Sequence, residues 1–289
     1  MFLPRKIIEN KLFEFLKEDL GHGDITTSIL IPENVKVKAE IIAKEPGVVA
    51  GIEEAKILLE SLGIKAEAKI KDGQKTCGEK TILELEGNAR TILAVERTLL
   101  NLISRMSGIA TQTNRIVEKV RAAGYRTKIA CTRKTALGLE YFDKKAVWLG
   151  GGDTHRLHLD DMILIKDNHV AIIGSIKKAV RIAKETASFS KKIEVEVSSV
   201  DEAIEAARAG ADIIMLDNFS LKQVKEAIKK LEEEGIRGKV LVEVSGRINE
   251  ENVLEFASMG VDIISLGTLT HSVKALDLSL EVKQVTALN

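Results

Sequence analysis

The sequence predicts an α/β protein, an incomplete seven-stranded (β/α) barrel with a smaller N-terminal α+β sandwich domain. Three observations carry that expectation. Beyond Gly124, short apolar runs alternate with amphipathic segments, the pattern of βα units on a parallel sheet. Before Gly124 the texture differs: helical spacing gives way to strict two-residue alternation broken by Pro46-Gly47, Asp72-Gly73 and Gly78. The chain has 289 residues, enough for one large core and a second, smaller one. We place the N-terminal domain at 1–107, with 273–289 returning to it, and the barrel at 108–272.

Taken in order, Ile8, Leu12, Phe15, Leu16 and Leu20 stand at helical spacing and stop at Gly21, a suitable C-terminal cap. Val35, Val37, Ala39 and Ile41 alternate as a half-buried strand, and Pro46-Gly47 reads as the turn after it. Gly51–Leu62 predicts a short helix. The following stretch alternates around its glycines as antiparallel strands do, without the flanked lysine of a lipoyl-type module. Ala89 to Met106 is helical again, Ser107-Gly108 interrupts it, and a second helix runs to Ala123.

Seven strands are then expected: Lys128–Cys131, Ala146–Leu149, Met162–Ile165, Ile193–Val197, Asp212–Leu216, Val240–Val244 and Asp262–Leu266. Ser199 with Glu202 and Ser220 with Gln223 have capping-box spacing, and Gly210, Gly235 and Gly260 stand where helices end. Right-handed crossovers curl such units into a partial barrel, although periodicity alone also admits an open doubly wound sheet.

Bulk composition narrows the function. Acidic and basic residues balance at 43 each, which disfavours a nucleic-acid track or a basic membrane face. Cys77 and Cys131 are far apart, and the sequence has no secretory segment and no long apolar run. A reduced, cytoplasmic protein is expected, with no nucleic acid and no membrane among its partners.

Against that neutral background, residues 131–169 concentrate Arg133, Lys134, His155, Arg156, His158, Lys166 and His169 around Gly150-Gly151-Gly152. These cations lie where strands end, and in (β/α) barrels the carboxyl ends of the strands hold the active site. Arginines in pairs suit planar carboxylates. Glu196 and Asp217 end neighbouring strands; they could hold Mg2+ or sugar hydroxyls, or equally serve as caps or salt-bridge partners. Ser245-Gly246 and Gly267 follow the last two strands, where backbone N–H groups commonly build a phosphate site. Together these residues suggest a ligand with carboxylates at one end and phosphate at the other.

At this point the chain resembles the quinolinate phosphoribosyltransferases. The resemblance is carried by Glu18 to Thr26, Glu96-Arg97-Thr98 with Asn101, Ser107 to Thr111, Thr132 to Thr135, and Gly150-Gly151-Gly152 with His155-Arg156. It continues through Leu164 to His169, Glu194 to Val197, Met215 to Asn218 and Ser265 to Ser272. It implies Mg2+-dependent transfer of phosphoribosyl from phosphoribosyl pyrophosphate to the ring nitrogen of quinolinate. Loss of CO2 then leaves nicotinate mononucleotide and pyrophosphate. By the same resemblance Arg97, Arg133, His155, Arg156 and Lys166 would hold the pyridine dicarboxylate. Lys134, Glu196, Asp217, Ser245, Gly246, Gly267 and His271 would surround the donor and its metal, with Glu196 and Asp217 reaching Mg2+ directly or through water or substrate. His169 matches a further histidine near the site. The resemblance also implies a homodimer, compatible with further assembly, in which Arg97 reaches the partner subunit's pocket.

The chemistry of the residues agrees. Carboxylates stabilise the oxocarbenium charge of glycosyl transfer, and the alkylated ring nitrogen can stabilise the carbanion left by decarboxylation, so no organic cofactor is expected. Lys134, Lys166, Glu196 and Asp217 are the expected catalytic residues, Lys166 acting as an ammonium. A barrel aldolase would instead use Lys166 as a Schiff-base nucleophile. The paired carboxylates disfavour a non-catalytic anion-binding barrel, and the dense cations disfavour a nicotinate phosphoribosyltransferase, whose acceptor carries a single carboxylate. Leu137, Glu140, Thr154 and Arg247 depart from the family pattern, and none of them replaces an assigned catalytic group.

Overall fold

The computed structural model describes residues 3–286 and falls into two compact units. The first comprises the chain up to Gln112, Trp148–Gly150 and the segment from Val273 onward; the second comprises Thr113–Val147 and Gly151–Ser272.

In the first unit, α1 (Arg5–Leu20) buries Ile8, Leu12 and Leu16, spaced four apart on one face, and ends at Gly21. After α2 (Ile25–Leu30), β1 (Lys36–Ala43) alternates exposed and buried positions before becoming fully buried at its end. Pro46-Gly47 is not a turn: it opens β2 (Pro46–Val48), which pairs with β4 (Lys75–Cys77). Helix α3 (Ile52–Ser61) starts at Gly51, which has no side chain to cap it, and the Asp72 carboxylate accepts the N–H groups of Ile52 and Glu53 at 2.9 and 3.2 Å instead. With β3 (Lys65–Ala68) and β5 (Lys80–Asn88), the main sheet has the order Leu278–Thr286, β1, β5, β3, all antiparallel. The last strand of the chain thus returns to the first; residues 287–289 of the expected return lie outside the described residues.

The helix expected to break at Ser107-Gly108 is one element, α4 (Ala89–Ala122), 34 residues long. Ser-Gly is here a packing device. Ser107 is fully buried, and its hydroxyl bonds both the N–H and the carbonyl of Ala50. A Cβ on Gly108 would overlap the Lys274 carbonyl oxygen and touch Ala275. Helix propensity alone favours Gly108→Ala by about 1 kcal/mol. Overlap with backbone that cannot swing aside outweighs it, and a net loss of about 2 kcal/mol is expected. A thermal melt of the variant checks the sign; a raised melting temperature would refute the packing account.

The second unit holds six parallel strands: β6 (Lys128–Cys131), β7 (Ile163–Ile165), β8 (Ile193–Val197), β9 (Ile213–Asp217), β10 (Leu241–Ser245) and β11 (Ile263–Leu266). Their order, β6-β11-β10-β9-β8-β7, follows the chain around an incomplete barrel in which β6 and β7 do not pair. The seventh expected strand, Ala146–Leu149, is the last turn of α5 (Glu140–Leu149). A four-residue apolar run cannot distinguish a strand from a buried helical turn; here Phe142, Ala146 and Val147 are buried while Trp148 is half exposed. The strand position beside β6 is filled by a single residue, Asp153, which bridges to Ala130. Gly152 has no room for a side chain, since a Cβ would lie 2.9 Å from Val147 and 3.2 Å from the Ile129 carbonyl.

Helices α6 (Asp167–Ile173), α7 (Ile176–Thr186), α8 (Val200–Ala209), α9 (Leu221–Glu233), α10 (Val253–Ala257) and α11 (Thr268–His271) follow the strands. Both expected capping boxes form, Ser199 with Glu202 and Ser220 with Gln223, and left-handed Gly210 closes α8. No helix among the described residues is long and apolar enough to cross a membrane.

Candidate active site

The carboxyl ends of the barrel strands gather most of the residues singled out in the sequence. At the end of β7, the Lys166 ammonium donates to Glu196 Oε2 at 2.5 Å, joining neighbouring strand ends. His169 sits in the first turn of α6, and its Nδ1 accepts the Lys166 N–H at 2.9 Å. His169 therefore fixes the backbone that carries Lys166.

At the next junction Asp217 is in register with Ser245. The Asn218 side chain donates to Asp217 Oδ2 at 2.7 Å, and the Asn218 N–H donates to the Ser245 carbonyl at 2.9 Å. Asn218, Gly246 and Arg247 all have positive φ, 56°, 90° and 53°. A Cβ on Gly246 would come within 2.9 Å of the Asn218 nitrogen, so only glycine permits this close approach. Arg247, one of the departures from the family pattern, is an exposed non-glycine in a left-handed conformation.

The ends of β6 and β11 meet in the same way. Thr270 Oγ1 donates to the Lys134 carbonyl at 2.9 Å, and a Cβ on Gly267 would stand 3.0 Å from the His271 ring and 3.3 Å from the Lys134 side chain. The hydroxyls of Ser265 and Thr268 are buried there without a hydrogen-bond partner among the described residues. Unmatched hydroxyls beside a lysine and a glycine turn are suited to an anion. Arg133 and Lys134 are exposed after β6.

Arg156 is only 9% exposed. Burial lowers the pKa of its guanidinium, Arg133 lowers it further by repulsion, and Glu194 and Glu196 oppose both. The charges acting on it are thus the other arginine and the two carboxylates of β8, which share one face of that strand. His155, expected among the ligands of the acceptor, has a side chain only 10% exposed. Its Nε2 lies 3.1 Å from Glu243 Oε2 and 3.4 Å from Glu194 Oε2, while its Nδ1 accepts the Arg156 N–H at 2.9 Å. Both ring nitrogens are thus engaged by the chain. Burial is the largest influence on His155 and pushes its pKa down, yet the two carboxylates outweigh it and bring it to about 10. Geometry opposes that shift: the Arg156 N–H occupies the Nδ1 lone pair that a second proton would take, which favours a neutral ring with its one proton on Nε2, facing the carboxylates.

Three further residues of this region have no role assigned from the sequence. Glu194 and Glu243 are fully buried within β8 and β10, and Lys144 is fully buried in α5. A clue was present for the first two, because IEVEV and LVEVS each place a charge inside an otherwise apolar strand. Lys144 gave none: it looks like any helical lysine, but its ammonium donates to the carbonyls of Thr154 and Arg156 at 2.5 and 3.1 Å. Beside it, burial raises the pKa of the Cys131 thiol, although Lys144 lowers it in part.

Arg97 is exposed on α4, in the first unit, and makes no ion pair among the described residues. A cavity of about 860 Å3 opens at the opposite, amino ends of the strands, bounded by Lys128, Lys192, Ile213, Leu241 and Ile263. It is lined also by His155 and Arg156, but Lys166, Glu196 and Asp217 have no part in it.

A parallel barrel with lysine, arginine and carboxylate groups at one rim and tight glycine turns beside them defines an enzyme that handles a polyanionic small molecule. Residues 24–107 and 109–281 match the N-terminal and C-terminal domains of quinolinate phosphoribosyl transferase, respectively. The chain is 52% identical over 269 residues to a probable nicotinate-nucleotide pyrophosphorylase (carboxylating) of Methanocaldococcus jannaschii, covering 92% of this chain and 94% of that protein. With the human nicotinate-nucleotide pyrophosphorylase (carboxylating) the identity is 38%, covering 98% and 94%. Among solved structures, the nicotinate-nucleotide pyrophosphorylase of Francisella tularensis superposes with a TM-score of 0.89 at 41% identity, covering 98% of each chain. NadC of Streptococcus pyogenes gives 0.90 at 38%, covering both chains completely. The chain belongs to the quinolinate phosphoribosyltransferase family.

Proposed function

We propose that the strand-end residues divide the work of decarboxylating phosphoribosyl transfer to quinolinate, the reaction that yields nicotinate mononucleotide for NAD biosynthesis. Arg133, Arg156 and Lys166 hold the two carboxylates of quinolinate, with Arg97 supplied by the partner subunit of a homodimer. Lys134, Ser245, Gly246, Gly267 and His271 cradle phosphoribosyl pyrophosphate. Glu196 and Asp217 face the ribose, where their charge opposes the oxocarbenium charge that develops as the glycosidic bond to pyrophosphate breaks.

The observation that supports this reading most directly is the separation of charge around one rim. Cations follow β6 and β7, Lys166 pairs with Glu196 at 2.5 Å, and Asp217, Gly246 and Gly267 continue on the other side. Glu196 and Asp217 also fit Mg2+, a hard cation commonly held by one or two carboxylates together with substrate phosphates. Bound there, it would neutralise charge on the departing pyrophosphate. Lys166, already paired with a carboxylate, stays an ammonium that orients the acceptor. His155 and His169 act one step back, on the backbones of Arg156 and Lys166. A cytoplasmic enzyme fits the substrates.

The test is a product assay with Mg2+ and phosphoribosyl pyrophosphate, offering quinolinate or nicotinate and following mononucleotide and CO2 together. Equimolar mononucleotide and CO2 from quinolinate alone is the expected result. Turnover of nicotinate without CO2, or no product from a folded dimer with either acceptor, would overturn the reading.

A further inference from the structure

Glu194 and Glu243 are an expensive pair. Both are fully buried, and both oxygens of Glu194 and Oε1 of Glu243 lack a hydrogen-bond partner among the described residues. Replacing buried charges with apolar groups of similar volume is often neutral or stabilising. Stability alone therefore does not account for them. What they hold is His155, a non-glycine residue at φ 51°, a conformation that itself costs about 1–2 kcal/mol. The His155 N–H is tied to Asp153 Oδ1 at 2.9 Å, and Asp153 is the residue bridged to β6. The ring, fixed at Nε2 by Glu243 and Glu194, presents Nδ1 to the Arg156 N–H.

We infer that Glu194 and Glu243 are positioning residues: Glu243 accepts the Nε2–H of His155, Glu194 adds its charge 3.4 Å away, and through His155 Nδ1 they aim Arg156 at a carboxylate of the acceptor. The inference rests on the proposed function for the identity of the acceptor. It parallels metal sites, where a carboxylate on the far nitrogen of a histidine sets its tautomer and orientation and its loss costs 10- to 100-fold.

Calorimetry with quinolinate and, separately, with phosphoribosyl pyrophosphate tests it on Glu243→Leu and Glu243→Gln. Glutamine keeps an oxygen to accept the Nε2–H; leucine does not. Leucine is expected to weaken quinolinate binding about 10-fold or more. Phosphoribosyl pyrophosphate binding should stay within about 2-fold, which a variant that had lost its fold would not do. Glutamine should keep quinolinate binding within about 3-fold of the starting protein, well short of the loss from leucine. Equal loss of both ligands, a loss with glutamine as severe as with leucine, or a stoichiometric metal ion that co-purifies and disappears with Glu243→Gln would each overturn the inference. If the unaltered protein binds no quinolinate, the proposed function has failed instead, so the two failures are distinguishable.

Discussion

Lys166→Ala is expected to lower kcat/KM for quinolinate by roughly 30- to 5,000-fold, the equivalent of about 2–5 kcal/mol for removing one member of a charge pair from a closed site. The loss has two parts. The acceptor loses an ammonium, and Glu196, now 2.5 Å from Lys166, is left without its cation at the point where ribose charge develops. The variant should still fold, because Lys166 is a partly exposed residue at a strand end. Mixing it with Arg97→Ala chains gives a second readout. If each site takes its Arg97 from the partner subunit, random reassortment of two dead homodimers restores about a quarter of the intact sites. A kcat/KM unchanged in Lys166→Ala would dismiss the assignment of Lys166. Absence of recovery after demonstrated subunit exchange would dismiss the shared site while leaving Lys166 in place.

The second large effect is on stability. Lys144→Met keeps the length of the side chain and removes its ammonium, leaving the Arg156 carbonyl without its donor and the Thr154 carbonyl with only the weak Cys131 thiol at 3.4 Å. Charged hydrogen bonds of this kind are worth about 1.5–3 kcal/mol each, and orphaned buried acceptors cost about 1–3 kcal/mol. Relief from burying an ammonium offsets part of that, so a net loss of about 3 kcal/mol is expected, lowering the melting temperature by roughly 6–12 °C. Differential scanning calorimetry of the variant decides it. A melting temperature within about 2 °C of the unaltered protein would mean that the Thr154–Arg156 segment is held by its other contacts, the Asp153 bridge foremost.

These two residues mark the limits of what the sequence disclosed. Lys166 was legible because a lysine after an apolar run, followed by Asp167-Asn168-His169, places a cation at a strand end whichever way the sheet is wound. Lys144 was not, because its burial depends on where a loop ten residues later returns. Elements with strict periodicity or explicit caps were read from local chemistry, as at α1, β1, α8 and α9. Ala146–Leu149 failed because four apolar residues carry no period, and the role of Ser107-Gly108 failed because small residues can mark either a break or a close approach. Glu194 and Glu243 lay in view, as charges inside strand-like runs, but their meaning required His155 to be placed between them. Residue type and spacing locate His155 in the site, whereas the partners of its ring nitrogens, Glu243 and the Arg156 N–H, follow only from tertiary structure.

The pairing of β1 with Leu278–Thr286 has a consequence for how the chain is made. On the ribosome, β1, β3 and β5 emerge together, but the strand that covers the open side of β1 emerges nearly two hundred residues after β5. At about 5–20 residues per second the nearly two hundred residues between β5 and that strand take roughly 10–40 s. Throughout that interval β1 is a sheet edge with free N–H and C=O groups, the kind of surface that recruits strands from other chains. Its sequence is guarded accordingly. Lys36, Lys38 and Glu40 alternate along it, so a strand added in error must accommodate three charges, of which the native strand meets Glu40 with Lys283 at 3.9 Å. The cotranslational intermediate is thus protected by the same side chains that later make the finished edge specific.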